Sequence, residues 1–102
     1  MRKADLVKQI SEKTGIPQID VLITLEAFLK EVKESLRQGE NVYIRGFGSF
    51  MLKKRRKKIG RIIRDNKAIV IPEHYIPAFK PADVFKDMVH DAVPKKQRTD
   101  GD

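Results

Sequence analysis

Residues 42–71 read VYIRGFGSFMLKKRRKKIGRIIRDNKAIVI, and the fold is decided by how charge and apolar side chains alternate along them. Val42 and Ile44 begin a period of two, which predicts a strand. Gly46 and Gly48 flank Phe47 and permit a sharp bend, with Phe47 and Phe50 turned inward. The next strand runs through Met51 and Leu52 into Lys53 to Arg64, where eight of twelve residues are Lys or Arg and the exceptions are Ile59, Gly60, Ile62 and Ile63. Asp65-Asn66 is a turn-prone pair. Ala68 to Ile71 is strand-like again, with Ile69 and Ile71 on one face and Ala68 and Val70 on the other. The pattern predicts a hairpin whose inner half joins a sheet and whose outer half is basic. Pro72 and Pro77 are expected to interrupt the returning strand, as at an edge or a bulge.

Charge is confined to this hairpin. Residues 53–80 hold ten Lys and Arg against two acids, whereas residues 1–52 hold eight against seven and residues 81–102 four against five. The whole formal charge of +8 therefore comes from one segment. A cationic surface so localised is a binding surface for a polyanion. The 102 residues favour a single domain. With no cysteine there is neither a disulfide framework nor a thiolate metal site. No apolar run approaches the roughly 20 residues that span a bilayer, and no signal-peptide core follows the N-terminus, so a cytoplasmic location is expected.

On either side of the hairpin the period lengthens. Arg2 to Lys13 puts Leu6, Val7 and Ile10 on one helical face, closed by Gly15 and Pro17. From Gln18 to Arg37 a second helix carries Leu22, Leu25, Leu29, Val32 and Leu36 in one stripe, widened by Ile19, Ala27 and Phe28, with Gly39 as its stop. That stripe needs more cover than one short helix supplies. Packing on the sheet is one account, and a dimer interface is the favoured one. Pro81 is expected to open a last helix with Val84, Phe85, Met88, Val89 and Ala92 on its buried side, ended by Pro94. The domain is read as residues 1–93. Residues 94–102 are read as a polar tail, expected to be disordered.

The basic run has its own chemistry. No core could absorb Lys53, Lys54, Arg55, Arg56, Lys57 and Lys58, but a ribbon standing away from the body uses cations on both faces. Neutralising phosphates releases counterions and gives affinity without sequence preference. A disordered basic tract is the competing reading. It is disfavoured because the run lies mid-chain between strands of matching length. Ile62 and Ile63 are costly at an exposed turn unless covered, either by a cross-strand neighbour or by insertion between base pairs. A structural RNA-binding protein, such as a small ribosomal protein, is the alternative, though the deep major groove of A-form RNA suits such arms poorly. An enzyme is not expected. His74 and His90 lie in separate elements with no nucleophile or metal-ligand cluster beside them, so each is given a surface or locally hydrogen-bonded role, and no cofactor is called for.

Lys3-Ala4-Asp5-Leu6, Arg45-Gly46-Phe47-Gly48-Ser49-Phe50, Gly60-Arg61, Ile71-Pro72 and Pro77-Ala78-Phe79-Lys80-Pro81 occur in an order and spacing that resemble the HU/integration host factor family of bacterial DNA-bending proteins, over residues 1–93. The resemblance implies an α+β fold: an intertwined dimer with a helical base, a β saddle and two basic β-ribbon arms, the arm here at about residues 53–71. It implies DNA compaction in the bacterial nucleoid through the minor groove, with bending by intercalation, for which this family is a standard example. Leu25, Phe28, Leu29, Val32 and Leu36 would form the dimer interface with Phe47, Phe50 and Phe79. A homodimer is expected, with a heterodimer with a paralogue as the alternative.

Three departures from the family pattern bear on the site. The usual Gly-Arg-Asn-Pro tip reads Gly60-Arg61-Ile62-Ile63 here, so the wedge role passes to Ile63, with Ile62 as the alternative. Asp65-Asn66 replaces a common Thr-Gly, and Asp83 stands at a commonly basic position. Besides residues 53–58, the DNA contacts are assigned to Arg61, Ile63, Arg64 and Lys67 toward the tip, and to Lys3, Arg45, Lys80 and Lys86 on the body. Arg45, like His74-Tyr75-Ile76-Pro77, is closer to the beta subunit of integration host factor. It could read minor-groove width or simply meet a phosphate. General HU-like binding is expected ahead of site-preferring binding, with bent, nicked or gapped DNA as favoured substrates.

Overall fold

The structure, a computed structural model, describes residues 1–62 and 67–95. Ile63, Arg64, the Asp65-Asn66 turn and the tail beyond Lys95 lie outside the described residues. Helix α1 (Lys3–Thr14) starts where the Arg2 N–H donates to Asp5 Oδ2 at 2.9 Å, so the carboxylate also meets the positive end of the helix. Its Gly15 N–H returns to the Ser11 carbonyl, and the chain turns through Pro17 into α2 (Gln18–Arg37). Val7 and Val21 are buried, and Lys3 Nζ lies 2.8 Å from Glu26 Oε2, joining the two helices. At the far end of α2 the Glu40 N–H donates to the Ser35 carbonyl, and Leu36 is buried.

Strands β1 (Val42–Ile44) and β2 (Gly48–Arg55) follow, then β3 (Lys58–Ile62), β4 (Lys67–Ile71) and β5 (His74–Pro81). All pairings are antiparallel. One sheet has the order β1-β2-β5, and β3 with β4 forms a separate two-stranded ladder. The bend between β1 and β2 is a turn closed by the Phe47 N–H on the Ile44 carbonyl at 3.0 Å. Its third residue, Gly46, has φ +80°, a left-handed conformation that a side chain disfavours. Helix α3 (Asp83–Val89) closes the described fold.

Several expectations need correction. Pro81 does not open α3: it is the last residue of β5, opposite Gly48, and the helix begins two residues later behind Ala82. The Ala82 N–H donates to the Phe47 carbonyl at 2.9 Å, so the chain stays extended until that bond is made. The helix also ends at Val89, before Pro94 is reached. Pro77 does not interrupt its strand but pairs with Leu52 within β5, where an edge strand tolerates a missing donor. Pro72 does interrupt: β4 stops at Ile71 and β5 starts at His74. The basic run is divided between the two ladders, with Lys53, Lys54 and Arg55 on β2 and Lys58 on β3.

The expected apolar side of α3 is not buried. None of its residues is: Phe85 is half-buried, and Val84, Met88 and Val89 are exposed, with no described element lying over them. Ile19, Phe28 and Leu29 on α2 are exposed as well. Val7, Val21 and Leu36 are the buried apolar residues of the described chain. The accessible surface is 9521 Å². A compact monomer of this mass would expose about 5,900 Å². Uncovered apolar side chains such as Ile19, Val84 and Met88 contribute to that excess.

Candidate nucleic-acid interface

The sheet has two different faces. Side chains alternate along a strand, and the register carries that alternation across. Val42 pairs with Phe50, Phe50 with Phe79, and Leu52 with Pro77, so these share one face. With Val32 and Leu36 of α2, several of them line an apolar groove of about 360 Å³. On the same side Phe47, Phe50, Phe79 and Phe85 form an aromatic cluster with ring centroids between 5.0 and 6.4 Å apart. Tilted pairs at such distances suit the ring quadrupoles. This cluster fixes α3 to the sheet.

The opposite face is open. Tyr43 pairs with Ser49, Ser49 with Lys80, Lys53 with Ile76, and Arg55 with His74. A depression of about 460 Å³ brings Tyr43, Arg45, Ser49, Met51 and Lys80 together, so Arg45 and Lys80 meet although 35 residues separate them. Asp83 also borders this depression, and its Oδ1 is 3.8 Å from Lys86 Nζ. Sequence reasoning missed Tyr43. Its place two residues before Arg45 in a period-two strand was the available signal.

Beyond Arg55 the open face runs into the ribbon. Lys53 to Lys58, with Ile71, His74 and Ile76, line a cleft of about 680 Å³ where the two ladders part. The strands break there at Arg56-Lys57 and at Pro72-Glu73. Lys54 Nζ lies 3.2 Å from Glu73 Oε1, and the other cations of the run face solvent. In the ribbon, Lys58 pairs with Ile71, Gly60 with Ile69 and Arg61 with Ala68. Ile69 and Ile71 lie over Gly60, where an added Cβ would be 3.4 Å from Ile71 Cδ1. On the other face Ile59 sits opposite Val70, 74% and 59% exposed, an apolar pair that sequence reasoning passed over.

Lys3 stands apart on α1, paired with Glu26. Farther away, the Arg37 guanidinium donates to Glu34 and holds its carboxyl below the usual range, with Gln38 adding to the effect. Both histidines make local contacts: His74 Nδ1 with the Pro72 carbonyl at 3.0 Å, and His90 Nδ1 with Asp91 Oδ1 at 3.1 Å. Among the described residues no His, Cys, Asp and Glu cluster could hold a metal, and no helix is long and apolar enough to cross a membrane.

The family model described as bacterial DNA-binding protein matches residues 1–90. The chain belongs to the HU/integration host factor family. It is 40% identical over 87 residues to DNA-binding protein HU of Thermus thermophilus, covering 85% of this chain and 90% of that one. It is 33% identical over 96 residues to integration host factor subunit beta of Marinobacter nauticus, covering 93% and 98%. Among solved structures, an HU–DNA cocrystal from Anabaena superposes with TM-score 0.84 at 31% identity, covering 89% of this chain and 99% of that chain. The α+β fold expected from the sequence is the fold of the HU/integration host factor family, whose members are DNA-binding proteins and not enzymes.

Proposed function

We propose that this HU/integration host factor protein is a general architectural DNA-binding protein of the HU type. Two arms of a dimer lie in the minor groove and bend the duplex, organising DNA in the bacterial nucleoid. The observation that carries this reading is the continuity of cations from the open sheet face, at Arg45 and Lys80, through the cleft at residues 53–58 to Arg61 on the ribbon. Phosphate contacts position a protein without reading sequence. Residues 53–80 contain a single side-chain amide, Asn66, which leaves few of the groups that identify adenine. That scarcity favours general over site-preferring binding. Pairing with DNA, as in the solved Anabaena HU, fits the same surface.

The dimer rests on the uncovered apolar surface. Phe28, Leu29, Phe47, Phe79, Val84 and Val89 are exposed in a single chain whose surface exceeds that of a compact monomer by thousands of Å². Obligate dimers bury about 2,000 Å² or more, on the order of that excess. At the arm tip we assign the intercalating role to Ile63. Unstacking one base step costs a few kcal/mol, which contacts along the bent duplex offset.

The test compares affinities at one stated salt concentration for intact, nicked and gapped DNA of random sequence and for duplex RNA. Gapped and nicked DNA should bind tightest and RNA weakest. Equal or tighter binding to RNA would reverse the assignment in favour of an RNA-binding protein. Enrichment of a consensus in a binding-site selection would move it to the site-preferring branch of the family.

A further inference from the structure

We propose that His74 is a phosphate ligand at the base of the arm, and that it takes up a proton when DNA binds. The inference rests on the DNA-binding reading above. His74 is the first residue of β5, pairs with Arg55, and lines the cleft formed by the six basic residues 53–58. Its Nδ1 lies 3.0 Å from the Pro72 carbonyl oxygen. A carbonyl can only accept, so in this bond Nδ1 carries the hydrogen. The proton that an imidazole exchanges near neutral pH is then the one on Nε2. The bond also anchors the ring to the Pro72-Glu73 break between the ladders.

A neutral ring in this state offers phosphate a lone pair at Nε2, which repels an oxyanion. A protonated ring offers an N⁺–H donor, and charge-assisted bonds of that kind are the stronger ones. Without DNA, the charges that share the cleft with the ring are the cations Lys53, Lys54, Arg55 and Arg56 on β2 and just past its end, and Lys57 and Lys58 beyond. Glu73 is the acid beside the site, and its carboxylate is engaged by Lys54 at 3.2 Å. Tyr75, the next residue, alternates to the other face of β5 and adds no charge at neutral pH. A bound phosphate chain reverses the field, neutralising the cations and placing negative charge at Nε2. Binding and protonation are therefore linked with a definite sign: DNA draws a proton on, and affinity rises as pH falls.

The experiment is calorimetric titration of the full chain with a random-sequence duplex at fixed salt, in two buffers of different ionisation enthalpy, which counts protons taken up. The wild type should take up a measurable fraction of a proton per protomer near neutral pH, and His74→Gln should lose that uptake. Affinity of the wild type should rise about threefold to tenfold more than that of His74→Gln between pH about 8 and pH about 6. His74→Lys, with a permanent charge, should bind at pH about 8 as tightly as the wild type does at pH about 6. His90→Gln should retain wild-type uptake, because His90 lies beyond α3 against Asp91. Equal proton uptake by wild type and His74→Gln overturns the proposal while leaving DNA binding intact. Failure of the wild type to bind duplex DNA at any pH overturns the DNA-binding reading, and this proposal with it.

Discussion

Gly48 lies so close beneath Phe79 that a Cβ added to it would be 2.6 Å from the ring's Cζ and 2.6 Å from the Lys80 carbonyl oxygen. The strand pair β2 and β5 therefore closes directly on backbone at this point, and the ring of Phe79 is free to meet Phe47 and Phe50, each at 5.0 Å. Gly48→Ala forces the ring or the carbonyl to move. The expected cost is about 1–3 kcal/mol, the usual range for overpacking a filled site. Urea denaturation of the variant should show a lower midpoint with an unchanged slope, and an unaltered midpoint would mean that the ring gives way freely.

Replacing Arg55, Arg56, Lys57 and Lys58 together by alanine should leave the fold intact, because all four are exposed. DNA affinity should fall. The slope of log affinity against log salt should become shallower by about 0.9 for each phosphate that is no longer neutralised. An unchanged slope, with circular dichroism confirming the fold, would place the binding surface elsewhere.

Leu29→Asp sets a carboxylate on the face of α2 that the single chain leaves uncovered. If a second chain covers that face, an unpaired charge there costs about 3–5 kcal/mol, and the dimer and the fold should disappear together. Sedimentation velocity distinguishes the outcomes. A soluble, folded monomer from this variant would show that the stripe is not an interface.

Ile63→Ala separates binding from bending, since it removes the proposed wedge and leaves every cation. Affinity for intact duplex should drop modestly, while the bend read by fluorescence transfer between DNA ends should shrink markedly. Pre-kinked, gapped DNA should be affected least. Ile62→Ala should have the smaller effect on the bend. The reverse order would shift the tip alignment by one residue, and no change in either variant would leave the arms acting by electrostatics alone.

Much of this molecule is legible in the order of residue types. The helix from Gln18 to Arg37 has the bounds its stripe implied, and the facing of Ile69 and Ile71 against Ala68 and Val70 follows from alternation alone. Local steric and hydrogen-bonding rules dominate in such segments. They fail where a distant partner competes. Pro81 has the local character of a helix start, yet pairing with Gly48 and the bond from Ala82 to Phe47 hold it in the strand.

The sequence by itself determined the long helix, the position of the basic ribbon and the apolar stripes, because periodicity and charge density are properties of neighbours along the chain, and its motifs carried the resemblance that implied the α+β class. Only the tertiary structure decided that the run at residues 53–58 straddles two ladders, that Arg45 and Tyr43 share a depression with Lys80, and that His74 stands opposite Arg55. Those are matters of strand register. Register is set by how Phe50, Phe79 and Leu52 fill one face of the sheet, a packing condition among residues far apart in the chain that no local pattern encodes.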